Sequence, residues 1–69
     1  MSIKFIEILT QYDGSKLYRY LTEFTLSDIH VIPMIGDTVW LETRLGETRY
    51  KVVEREFNYY DKKVEIFVV

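Results

Sequence analysis

Apolar residues in this chain come in short alternating runs, each closed by turn formers. From Ser2 to Tyr12 they are Ile3, Phe5, Ile6, Ile8 and Leu9, alternating in one phase up to Phe5 and in the other from Ile6. That predicts a strand carrying a bulge, because one extra residue shifts the alternation by one. Asp13-Gly14 follows, a dipeptide suited to the two positive φ angles of a type I′ turn. Beyond it, KLYRYLTEFTL places Tyr18, Tyr20, Phe24 and Leu26 on one face and Arg19, Glu23 and Thr25 on the other. One hairpin over residues 3 to 26 is therefore expected, closed by a two-residue turn. Leu17, Tyr20, Leu21 and Phe24 also fit a helical period, but the Tyr, Thr and Phe content of the segment favours strand.

The pattern breaks between Ser27 and Ile35 and resumes after IPMIGD, which holds the chain's one proline and one of its three glycines. Pro33 cannot donate to a sheet ladder, and Gly36-Asp37 supplies turn geometry directly ahead of Thr38-Val39-Trp40-Leu41-Glu42. Val39 and Leu41 are expected to face inward in that strand, with Thr38, Trp40 and Glu42 facing outward or towards a second layer. Gly46 marks another turn, and TRYKVVEREF then sets Tyr50 and Val52 on one face against Arg49, Lys51 and Val53. Asn58 to Lys63 form a polar turn containing Tyr59 and Tyr60, and VEIFVV closes the chain with Val64, Ile66 and Val68 alternating with Glu65 and Phe67. The expected core of this half is Val39, Leu41, Tyr50, Val52, Val64, Ile66 and Val68.

Five strands at spacings of about ten residues, separated by turn signals, predict an all-β fold, a small five-stranded antiparallel barrel or half-open sandwich, forming a single domain over residues 1–69. The stretch Pro33-x-x-Gly36-Asp37-x-Val39, followed by Tyr50-x-Val52 and a terminal strand of alternating valines, resembles small bacterial and phage SH3-like β-barrel proteins. The resemblance covers residues 32 to 69 and implies an SH3-like barrel. Its motifs are structural, and members of that group share no single activity to transfer.

Composition narrows the functional classes. At 69 residues, with no cysteine, the chain has little stability to spare and must rest on packing or assembly. Nine basic residues against eleven acidic ones give a net charge of −2, which disfavours a protein devoted to gripping a phosphate backbone. The N-terminal apolar run is short and interrupted by Lys4 and Glu7, so neither a signal peptide nor a membrane span is expected, and a cytoplasmic protein is. His30, with Asp28 two residues before it, is the chain's one histidine; such a pair in a connecting loop reads as a solvated polar pair rather than a catalytic one. Glu54 and Glu56 read as one solvated strand face. No catalytic, cofactor or metal motif is present, and no enzyme activity is expected.

Binding is the remaining class. Aromatics make up 16% of the chain, and Trp40, Tyr59, Tyr60 and Phe67 fall in outward phases or turns, the placement of interface residues or of a second small cluster. Together with the unpaired edge of VEIFVV they predict a module that binds another protein or itself by strand addition. The size also suits an inhibitor of phage or mobile-element type that acts by binding. The alternative is contact with nucleic acid or a nucleotide through Arg44, Arg49, Lys51 and Arg55, interleaved with aromatic faces.

Overall fold

A computed structural model describes residues 1–25 and 31–69 of the chain. Five strands make up one sheet: β1 (Ser2–Thr10), β2 (Lys16–Thr25), β3 (Thr38–Thr43), β4 (Gly46–Asn58) and β5 (Lys63–Val68). Their order across the sheet is β2-β1-β5-β4-β3. The sheet curls into a half-barrel, bringing its end strands β2 and β3 towards each other. No helix among the described residues is long and apolar enough to cross a membrane. Asp28, His30 and Leu26 lie outside the described residues.

The sheet is mixed, not strictly antiparallel as the strand spacing suggested. β1–β2, β3–β4 and β4–β5 pair antiparallel, but β1 and β5 run parallel, with Ile3 opposite Val64 and Phe5 opposite Ile66. Sequence spacing reports hairpins between consecutive strands. It carries no information about how the first strand meets the last.

A second correction concerns the first loop. Thr10 pairs with Lys16, the Gln11 N–H donates to the Ser15 carbonyl at 2.8 Å and the Gly14 N–H to the Gln11 carbonyl at 3.1 Å. The loop proper is Tyr12-Asp13-Gly14, three residues, with Gly14 alone left-handed at φ 85°. This is the pattern of a three-residue hairpin ending in a glycine bulge, which asks for positive φ once rather than twice. Asp13 closes the loop by accepting from the Ser15 N–H at 2.9 Å and the Ser15 hydroxyl at 2.6 Å.

The IPMIGD corner is a turn that feeds β3. The Asp37 N–H donates to the Met34 carbonyl at 3.0 Å, and Gly36, at φ 97°, occupies the third turn position, where a type II turn needs a positive φ. The Asp37 carboxylate accepts from the Met34 N–H, and two backbone bonds, Gly36 N–H to Val52 and Val52 N–H to Asp37, tie the corner onto β4. Position and partner of the turn are thus fixed together.

The core lines the concave face. Ile3, Phe5, Leu41, Tyr50, Val52, Val64, Ile66 and Val68 are buried, and Leu21, Phe24, Ile32 and Val39 pack against them. All seven core residues expected from the C-terminal half are inward, and all but Val39 are buried outright. Phe5 meets Phe24 edge-on, 6.1 Å between ring centroids, joining β1 to β2 over the core.

Two bulges redistribute side chains between the faces. The expected break in alternation at Phe5/Ile6 is real, but the extra residue sits on β2: Phe5 pairs with Thr22 and Ile6 with Tyr20, leaving Leu21 unpaired. Thr22 and Phe24 therefore face the core while Tyr18 and Tyr20 face outward. On β4 the shift falls between Val52 and Glu54, so Val53 is the extra residue, and Arg55, opposite Ile66, turns to the concave side.

Candidate binding surface

The convex face of the β1–β2 hairpin carries a second apolar cluster. Ile6 and Ile8 on β1 stand opposite Tyr20 and Tyr18 on β2, and Ile6 pairs on its other side with Phe67 of β5. Phe67 is only 8% exposed, capped edge-on by Tyr18 with ring centroids 5.9 Å apart. Tyr18 and Tyr20 remain 61% and 58% exposed, and the Lys4 ammonium lies 5.8 Å from the Tyr20 ring centroid. Both tyrosines stand on β2, an end strand of the sheet.

The sequence-based interaction set is only partly reproduced. Trp40 is 61% exposed on the end strand β3, opposite Arg49, as expected. Tyr59 and Tyr60 are exposed at the β4–β5 turn, whose backbone is held by Asn58: its side-chain oxygen accepts from the Tyr60 and Asp61 N–H groups at 3.0 Å. Asn58 lies nine residues along β4 from Arg49, roughly 30 Å at the usual strand rise of about 3.3 Å, so Trp40 and the two turn tyrosines mark opposite ends of the molecule. Phe67 belongs to neither. It is buried, and its strand is no edge: β5 is the central strand, hydrogen-bonded to β1 on one side and β4 on the other. The open-edge reading of VEIFVV is therefore corrected. A strand this apolar is satisfied by being buried on both faces, the usual condition of strands in parallel pairing.

Tyr18 and Tyr20 were missed because their phase, read without the Leu21 bulge, groups them with Phe24. Tyr20 and Thr22, on either side of Leu21, both favour strands, so the local sequence gives no signal of which strand holds the extra residue.

The basic residues also divide. Arg49 and Lys51 are on the convex side of β4, opposite Trp40 and Thr38. Arg44 is in the two-residue β3–β4 turn. Arg55 is on the concave side, its guanidinium 5.2 Å from the Phe57 ring centroid and donating to the Pro33 carbonyl at 3.3 Å. Four cations spread over two faces and a turn do not form one phosphate-tracking groove. Glu54 and Glu56 share the convex face, paired with Phe67 and Glu65.

One ion pair stands out in geometry. Arg19 donates to Glu7 Oε1 from both Nε and Nη2, and the Glu7 side chain is mostly covered. Among the described residues no group of three or more His, Asp or Glu is placed to hold a metal ion. The Asp13 carboxyl is held below its ordinary value of 3.8, first by the Ser15 hydroxyl and then by the Ser15 N–H. No family model, curated protein or solved structure matches the chain.

Proposed function

We propose that the chain is a non-catalytic binding module that joins a second copy of itself along β2, through the convex face bearing Tyr18 and Tyr20. The observation that carries this reading is the exposure of two large aromatics, side by side on a strand at the sheet's end and resting on the apolar floor of Ile6, Ile8 and Phe67. Tyrosine suits such a place, since its ring supplies contact area at small entropic cost and its hydroxyl tolerates water. A strand pairing antiparallel with its own copy makes a closed two-fold contact, and β2 carries Lys16 near one end and Glu23 near the other, so that arrangement brings opposite charges together. The curled sheet with three hairpin-type pairs supports reading the architecture as a variant of the SH3-like barrel, departing from it in the parallel β1–β5 pair.

Light scattering tests the reading. Wild type should show a dimer mass at tens of micromolar, and Tyr20→Ser should move it to monomer with unchanged circular dichroism. A monomeric wild type at high micromolar concentration refutes self-association. Loss of capture of a different protein by the same substitution would then assign β2 to a heterologous partner.

A further inference from the structure

The half-barrel leaves a cleft of about 470 Å³ where β2 meets the β3–β4 turn, lined by Arg19, Tyr20, Leu21, Thr43, Arg44, Leu45 and Tyr50. Its composition is opposite to that of the chain. The protein carries more acidic than basic residues, yet this lining holds two arginines and no carboxylate. Tyr50, buried against the core, belongs to the lining together with Leu21 and Leu45, so the cleft combines an apolar body with cationic groups. That is the make-up of a small-molecule site, and the volume lies within the usual range of about 300–1,000 Å³.

The two arginines are prepared differently. Arg19 commits Nε and one Nη2 hydrogen to a single oxygen of the largely covered Glu7, which fixes the plane of the guanidinium and leaves its other N–H donors unspent. Glu7 does not line the cleft. Arg44, exposed in the turn, has no ion-pair or hydrogen-bond partner among the described residues. One arginine is thus oriented in advance, and the other supplies uncompensated charge. A planar guanidinium matches the oxygens of a phosphate or carboxylate two at a time.

We propose that this cleft binds a small organic anion of mononucleotide size, its phosphate or carboxylate taken by Arg44 and Arg19 and its flat apolar part lying against Leu21, Leu45 and Tyr50. Tyr20 borders both this cleft and the convex surface of the proposed dimer, so the test rests on Arg44, which lies in the β3–β4 turn outside that surface, and either assignment can fail without the other.

The test is a titration followed by amide NMR, using adenosine 5′-monophosphate, phenyl phosphate and benzoate as probes and uncharged adenosine as control. At least one anionic probe should saturate, with shifts concentrated at residues 19–21, 43–45 and 50, and adenosine should bind at least tenfold more weakly than its phosphate. Arg44→Glu, an exposed turn substitution that leaves the core untouched, should weaken binding at least tenfold. Arg44→Lys should recover part of it. Absence of saturable shifts with every anionic probe at 10-fold molar excess or more, shifts centred instead on Trp40 and Arg49, or unchanged affinity in Arg44→Glu would each overturn the assignment.

Discussion

Phe67→Ala is the substitution that most directly tests the two-sided packing of β5. The ring lies on the convex face, 8% exposed, between Ile6 of β1 and Glu54 of β4 and under the edge of Tyr18. Removing a buried Phe side chain costs about 3–5 kcal/mol in a closed core. The convex cluster is one layer deep, and Tyr18 can settle into part of the space, which places the expected loss near the lower end, about 3 kcal/mol. Typical stability of about 0.05–0.15 kcal/mol per residue amounts to roughly 3–10 kcal/mol for 69 residues, so the change consumes about 30% or more of what holds the fold. With a urea dependence of about 1 kcal/mol per molar for so small a domain, the unfolding midpoint should fall by about 3 M at unchanged slope. Measurements at low micromolar protein keep assembly from contributing. A cycle with Tyr18→Ala then isolates the edge-on ring contact, expected to couple the two residues by about 0.5–1.5 kcal/mol. Phe67→Ala unfolding within 0.5 kcal/mol of wild type would refute the convex cluster and return Phe67 to the exposed surface that its alternation suggested.

Gly14→Val should destabilise the fold by about 1–2 kcal/mol through backbone strain alone, because φ is 85° there while nothing lies within 4 Å of an added Cβ. Gly14→Asn, which tolerates left-handed φ, should cost less, and equal denaturation midpoints for the two variants would contradict the strained turn. The lowered Asp13 pKa means that its bonds to Ser15 favour the folded loop above pH 3.8 and are lost as pH falls through the lower folded-state value. Ser15→Ala should therefore bring the Asp13 carboxyl back up towards 3.8 in a carbon-13 NMR titration, and an unchanged titration would remove Ser15 as the cause.

The sequence by itself determined the all-β class, the five strands, the turns at Gly14, Gly36 and Gly46, and the inward phase of Val39, Leu41, Tyr50, Val52, Val64, Ile66 and Val68. These are local properties: φ preference at a glycine, the missing N–H of Pro33, and side chains alternating with period two. The tertiary structure decided everything that depends on a strand's neighbour. A bulge exists only relative to a partner, so the extra residue at Leu21 became visible once β1 and β2 were in register, and with it the outward turn of Tyr18 and Tyr20. The Val53 bulge did the same for Arg55, sending to the concave side a residue that uninterrupted alternation groups with Arg49 and Lys51. The parallel contact of β1 with β5 joins the two ends of the chain, and that long-range pairing buries VEIFVV between two neighbours and Phe67 beneath Tyr18. The cleft at Arg19 and Arg44 has the same origin, since residues 25 positions apart meet there because the sheet curls until its two end strands approach.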